Sequence, residues 1–200
     1  WRRTYNDLRN DAVARLSSLK SNGILTATNV LTESLRLLQC AGGYLPDDDG
    51  NIYRSNPNAK IDTLRDILED IKRPCIIWTS FVIEAEEVFA LLNTMKRTAV
   101  LHQGKRSDKD RAAALEEFKS GGCQFFISTT ASAREGITLT VADTVIYYSR
   151  NWNLLNWLQS QDRAHRIGQT RPVTILSLVA EDTIDIRVAK ALHNKITLQE

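Results

Sequence analysis

The spacing of apolar positions changes near residue 57. Before that point, Tyr5, Leu8, Ala12, Leu16 and Leu19 recur at helical intervals, and Gly23 is a natural stop for a helix over residues 1–21. A second helix carries Val30, Leu31, Leu35 and Leu38 and ends at Gly42 and Gly43. In "YLPDDDGNIYR", Asp49 and Gly50 stand between short apolar pairs, the signal of a hairpin turn. The three aspartates invite a calcium reading. An EF-hand loop with its glycine at Gly50 would need an acid at Leu45 and a glutamate at Asn56, and neither is there.

From Pro57 onward, helical stripes alternate with short apolar runs. Ile61, Leu64, Ile67, Leu68 and Ile71 form one stripe, followed by "CIIWTSF". A helix over residues 83–95, "TAVLH", a helix over 107–119, "QFFIST" and "DTVIYYS" come next. A helix over 153–166, "VTILSLV" and a last helix from about residue 181 complete the chain. Such runs lack the polar alternation of a half-exposed strand, so they predict an α/β fold, a parallel sheet with helices on both faces. Ligands on such sheets collect at the carboxyl ends of the strands. Residues 1–56 form an N-terminal helical and hairpin appendage, and residues 57–200 form the α/β lobe with its closing helix.

Composition narrows the picture in three ways. With 42% hydrophobic residues, 200 residues can fill a real core. A formal charge of +2 is too mild for a strongly basic surface, so any contact with nucleic acid must be local. Cys40, Cys75 and Cys123 are widely spaced in apolar surroundings and read as buried, reduced thiols rather than a disulfide or metal framework. No apolar run reaches a membrane span and no signal peptide precedes the first helix, which predicts a soluble intracellular protein. A start at Trp1 without methionine suggests a piece of a longer chain.

The candidate chemistry lies in "QSQDRAHRIGQTR". Asn153 can cap the helix before it, Leu154, Leu155, Trp157 and Leu158 supply its buried side, and Gly168 stands at its expected stop. Gln159, Arg163 and Arg166 then share one face. Two readings are open for the arginines. They complement the helix dipole at its carboxyl end, or their planar guanidinium groups meet a phosphate whose charge spreads in a transition state.

"QSQDRAHRIGQ" resembles the sixth motif of superfamily-two helicases, in the form found in Swi/Snf-type DNA translocases. "TTASAREGITLTVADTVIYYSRNWN" is similar to the fifth motif and the Trp-Asn signature after it, and "CIIWTSF" resembles the fourth. "LHQGKRSDKDRAAALEEFKSG", "LRLLQCAGGYL" and "EDTIDIRVAKALHNK" resemble the family's intervening segment, entry segment and closing helix, so the likeness spans nearly the whole chain. The resemblance implies a RecA-like second motor lobe. By it, Arg163 and Arg166 are arginine fingers that reach the γ-phosphate of ATP, and Gln159 orders that interface. Gly136 and Glu135 lie near the nucleotide. Thr79, Ser80, Gln103, Gly104, Lys105, Thr129 and Thr130 line a nucleic-acid groove, and His165 orients the arginine motif. The chain departs from the pattern at Ala133, Arg134 and Thr138, where paired glycines and an asparagine are common, and at Ser80, where glutamine is common.

A nucleotide hydrolase of this type also needs a G-x-x-x-x-G-K-[ST] loop and an acidic pair for Mg²⁺. The only Gly-Lys pair is Gly104 and Lys105, with Ala99 where the first glycine belongs and Arg106 after it, and no Asp-Glu pair occurs. The sequence therefore predicts no ATP hydrolysis by this chain alone. ATP and Mg²⁺ would be held mainly by a first RecA-like lobe, and the partner nucleic acid would be duplex DNA. The competing expectation is a nucleic-acid-binding or scaffolding module without ATPase function. The cellular place is cytoplasmic in a bacterial or phage setting and nuclear in a eukaryotic one.

Overall fold

In the computed structural model, which describes residues 1–104, 106–165, 169 and 171–197 (backbone alone for 133–135 and 195–197), the predicted alternation is present. The appendage holds α1 (Arg2–Ser21), α2 (Ala27–Ala41) and the hairpin β1 (Tyr44–Pro46) and β2 (Ile52–Arg54). The lobe follows as α3 (Ala59–Asp70), β3 (Cys75–Thr79), α4 (Val82–Thr94), β4 (Ala99–His102), α5 (Asp108–Lys119) and β5 (Phe125–Thr129). A short 3-10 helix (Thr130–Glu135), β6 (Thr144–Tyr147), α6 (Leu154–Ala164), β7 (Thr174–Ser177) and α7 (Ile184–Thr197) end it.

The five strands of the lobe pair in parallel, in the order β4-β5-β3-β6-β7. From central β3 the chain moves out to the edge through α4 and returns through α5. Right-handed crossovers in opposite directions place those two helices on opposite faces. The side-chain period of two then divides the core. Cys75 and Ile77 join Leu64 and Leu68 of α3 and Val88 and Leu92 of α4 on one face. Ile76 and Trp78 join Ala114 and Phe118 of α5 and Ala164 of α6 on the other. Every residue of β3 and β5 is buried, which is why those runs carry no polar alternation.

The appendage is fastened to the end of the chain. Leu38 of α2 packs with Ile184, Val188 and Leu192 of α7, and Tyr5 Oη accepts a 2.7 Å hydrogen bond from the Ile184 amide. The hairpin turns at Gly50, whose φ of +87° suits glycine, while Asp47 accepts from the amides of Asp49 and Asn51. That carboxylate closes the turn. The three cysteines are buried free thiols, and burial pushes Cys40 and Cys123 each up to about 11.

α6 runs to Ala164 among the described residues, and Arg166 and the expected stop Gly168 lie outside them. Its expected buried side is met only in part: Leu154 and Trp157 pack partly buried against the hydrophobic clusters, Leu155 is 55% exposed, and the fully buried stripe is Asn156, Ser160 and Ala164. Small residues four apart let the helix approach the sheet closely, where Tyr147 Oη and Ser160 Oγ meet at 2.6 Å. On α2, Val30 and Leu31 likewise face outward while Leu38 is buried.

Candidate functional site

Parallel register sets the expected groove residues level with one another. Thr79 is the register partner of Thr129, and His102 of Ser128, so Gln103 stands one step on, beside Thr129. Thr79, Gln103 and Thr129 therefore form a row across three adjacent strands at the carboxyl rim. Their side chains turn into the fold in this conformation. Thr79 Oγ1 donates to the Phe81 carbonyl at 3.0 Å, and Thr129 Oγ1 lies 3.0 Å from Ser132 Oγ. Gln103 Nε2 donates to Glu86 Oε1 at 3.4 Å, and Thr130 is buried beside them.

Ser80 and Gly104 differ from that row. Ser80 is half-buried, and its hydroxyl has no hydrogen-bond partner among the described residues. Its oxygen is shielded from solvent in this conformation. Gly104 is exposed, and a Cβ placed on it would meet nothing within 4 Å. Lys105 lies outside the described residues. His102 is buried, with Nδ1 3.3 Å from Ser128 Oγ and its ring on Phe126.

One residue of this rim was not singled out from the sequence. Glu84, in the first turn of α4, is fully buried, and its Oε2 accepts from the amides of Ser80 and Phe81, each at 3.2 Å, and from the Ser149 hydroxyl. This is half of a capping box, because Phe81 at the N-cap has no side-chain acceptor to return the bond. Burial pushes the carboxyl up to about 7, against the opposing pull of the Lys60 charge and those hydrogen bonds. A glutamate three residues after a strand-to-helix turn was the available signal.

The arginine segment occupies the next part of the rim. Asn153 caps α6 as expected, accepting from the Asn156 amide at 3.0 Å. The helix lies against the 3-10 helix, and the Arg163 carbonyl accepts from the Leu139 amide at 2.8 Å. Gly136 follows the 3-10 helix with a φ of +70°, a left-handed conformation in which a side chain is strained although the space around it is open. Of the Glu135 side chain nothing is described.

Gln159 Oε1 is buried without a hydrogen-bond partner among the described residues. An amide oxygen accepts and cannot meet a phosphate oxygen, so its fitting partner is an N–H such as a guanidinium. Beyond the helix, Gln169 Nε2 donates to the carbonyls of Ala142 at 2.7 Å and Thr140 at 3.1 Å and reaches that of Ala164 at 3.5 Å. It fastens the segment after α6 to the turn before β6. Among the described residues no group of three or more His, Cys, Asp or Glu is placed to hold a metal ion.

A parallel RecA-like sheet, strand-end loops level at one rim and an arginine-bearing helix beside a left-handed glycine define a helicase-type motor lobe. The family model of the helicase conserved C-terminal domain matches residues 59–168, and the chain belongs to that family, in its Swi/Snf-type branch. It is 30% identical over 184 residues to an ATP-dependent helicase of Mycoplasma genitalium, covering 90% of this chain and 18% of that protein. It is 32% identical over 169 residues to the chromatin-remodeling ATPase INO80 of Mycosarcoma maydis, covering 84% and 9%. The solved C-terminal part of the Fun30 ATPase domain superposes with a TM-score of 0.62 at 27% identity, covering 66% of this chain and 44% of that one. The chain thus spans less than a fifth of these two relatives. Among the described residues no helix is long and apolar enough to cross a membrane.

Proposed function

We propose that this chain is the second motor lobe of an ATP-dependent Swi/Snf-type DNA translocase, with residues 57–200 forming the lobe and residues 1–56 its docked appendage. The observation that carries the reading is the level row of Thr79, Gln103 and Thr129, with the unpartnered Ser80 hydroxyl beside it. A duplex phosphate backbone laid along that row meets strand-end loops from three strands, which fixes position without reading sequence. Because the threonine and glutamine side chains are turned inward, their contribution is through the loop backbone, together with Gly104 and Lys105; the Ser80 hydroxyl, shielded here as well, would meet a phosphate after the loop shifts on binding.

ATP and Mg²⁺ belong to this function, held by a first lobe of the same parent chain, with this lobe closing over the triphosphate. Bound there, the nucleotide would supply the γ-phosphate over which the lobe closes, and its hydrolysis would let the lobe reopen. Arg163 and Arg166 then approach the γ-phosphate, Gln159 orients one of them, and Gly136 and Glu135 border the nucleotide. An arginine finger contributes about 10³ to 10⁵ in rate. The isolated 200-residue chain is expected to be inactive.

ATP turnover by the full parent chain tests this, measured with duplex DNA, single strands and RNA for wild type and Arg166→Ala. Stimulation by duplex DNA that collapses in the variant while ATP still binds supports the reading. Turnover that is indifferent to Arg166, or absent altogether, leaves a nucleic-acid-binding or scaffolding module.

A further inference from the structure

We propose that Glu84 is a positioning residue that clamps the loop after β3 to the loop after β6, and so sets the spacing of the DNA groove. The proposal rests on the groove reading above and adds a regulator to it.

The geometry joins three parts of the molecule at one carboxylate. Two of its donors, the amides of Ser80 and Phe81, come from the β3 exit loop that leads into α4. The third is the hydroxyl of Ser149, directly after β6, and that hydroxyl also accepts from the Ser80 amide at 2.7 Å. Its other oxygen, Oε1, is buried without a hydrogen-bond partner and faces the appendage: a Cβ on Gly42 would fall 2.4 Å from it. Only glycine leaves room for that oxygen. The Gly42 carbonyl is itself held by Tyr148 Oη at 3.1 Å and Asn58 Nδ2 at 3.2 Å.

The charged surroundings are equally defined. Lys60 of α3 faces Glu84 and is paired with Asp185 of α7; Glu87 lies on α4 itself. Tyr44 of β1 and Tyr148 of β6 are buried phenols whose ionisation Glu84 opposes. An ionised carboxylate accepts all three donors as charge-assisted bonds, roughly twice as strong as neutral ones. Protonation weakens them together. Since burial brings the carboxyl up to about 7, its protonation as the pH falls through the physiological range weakens these three bonds while the group stays buried. The two loops therefore loosen from each other, although the fold as a whole favours the neutral form.

The test uses the full parent chain as wild type, Glu84→Gln and Ser149→Ala between pH 6 and 8.5. Two readouts are taken: the KM for duplex DNA in ATP turnover, and hydrogen exchange of the 79–82 and 148–152 segments without DNA, corrected for intrinsic rates. In wild type, DNA KM rises about fivefold from pH 8 to pH 6 while kcat at saturating DNA holds, and both segments lose protection. Glu84→Gln should be flat in both, at the low-pH level of wild type. Ser149→Ala should loosen 148–152 and the Ser80 amide and leave Phe81 protected.

Retention of the wild-type pH slope of exchange in Glu84→Gln would overturn the clamp. A chain whose turnover ignores DNA sinks the groove reading instead, and the exchange arm then decides Glu84 by itself. Should Glu84→Gln fail to fold, Ser149→Ala decides: unchanged protection of 148–152 in it overturns the proposal.

Discussion

Lys60 Nζ lies 2.5 Å from Asp185 Oδ2, with both side chains 6% exposed, so a buried ion pair ties α3 at the start of the lobe to α7 at its end. The ammonium meets no strict hydrogen-bond angle, yet at that distance it can rotate a proton toward the carboxylate, so the pair is made. Asp185 Oδ2 also accepts from the Ala180 amide at 3.1 Å. Asp185→Ala leaves the Lys60 charge buried without its ion-pair partner, with only the raised Glu84 carboxyl facing it, and should destabilise by up to about 3–5 kcal/mol in denaturant unfolding. Adding Lys60→Met should recover much of that loss. A loss under about 1 kcal/mol in the single variant would mean the pair is open to water.

Glu84 should give stability an unusual pH dependence. Its carboxyl is raised from an ordinary 4.5 to about 7, so between those values the folded chain keeps a proton that the unfolded chain has released. The contribution is therefore full below about pH 4.5 and lost as the pH rises through about 7. Relative to Glu84→Gln, wild type should lose about 3 kcal/mol of unfolding free energy over that span. Parallel stability profiles for the two proteins would rule the shift out.

Gln169 can be tested by removing its donor while keeping its shape. Gln169→Glu cannot donate to the carbonyls of Thr140 and Ala142 and sets a negative oxygen against them. A loss of about 1–3 kcal/mol is expected on thermal melting. Unchanged melting would show that the side chain is not a brace.

Ser80 should separate stability from function. Its buried hydroxyl has no partner among the described residues, so Ser80→Ala removes an unsatisfied group and should be neutral or stabilising by up to about 1 kcal/mol. KM for duplex DNA should rise nevertheless. A variant that loses stability would show that the hydroxyl is already engaged within the fold.

Much of the site could be read along the chain because its motifs follow local rules. "QFFIST" and "CIIWTSF" announce strands buried on both faces, and each ends in the polar residues that a carboxyl rim requires. Asn153 as a cap and Gly50 in a turn are decided by backbone chemistry within a few residues. Glu84, Gln169 and the Asn156-Ser160-Ala164 stripe were not legible in the same way. Each is defined by a partner distant in sequence: Ser149 for Glu84, the Thr140 and Ala142 carbonyls for Gln169, and Tyr147 for Ser160.

The sequence by itself determined the alternation of helix and strand, the parallel class of the sheet and the motor family, because periodicity, capping and motif order are properties of neighbouring residues. Only the tertiary structure decided that Thr79, Gln103 and Thr129 stand level, that their side chains turn inward, and that one buried carboxylate joins two exit loops to the appendage. Register between strand residues 26 and 50 positions apart depends on which faces pack together, and a carboxyl's charge depends on what surrounds it once the chain has folded.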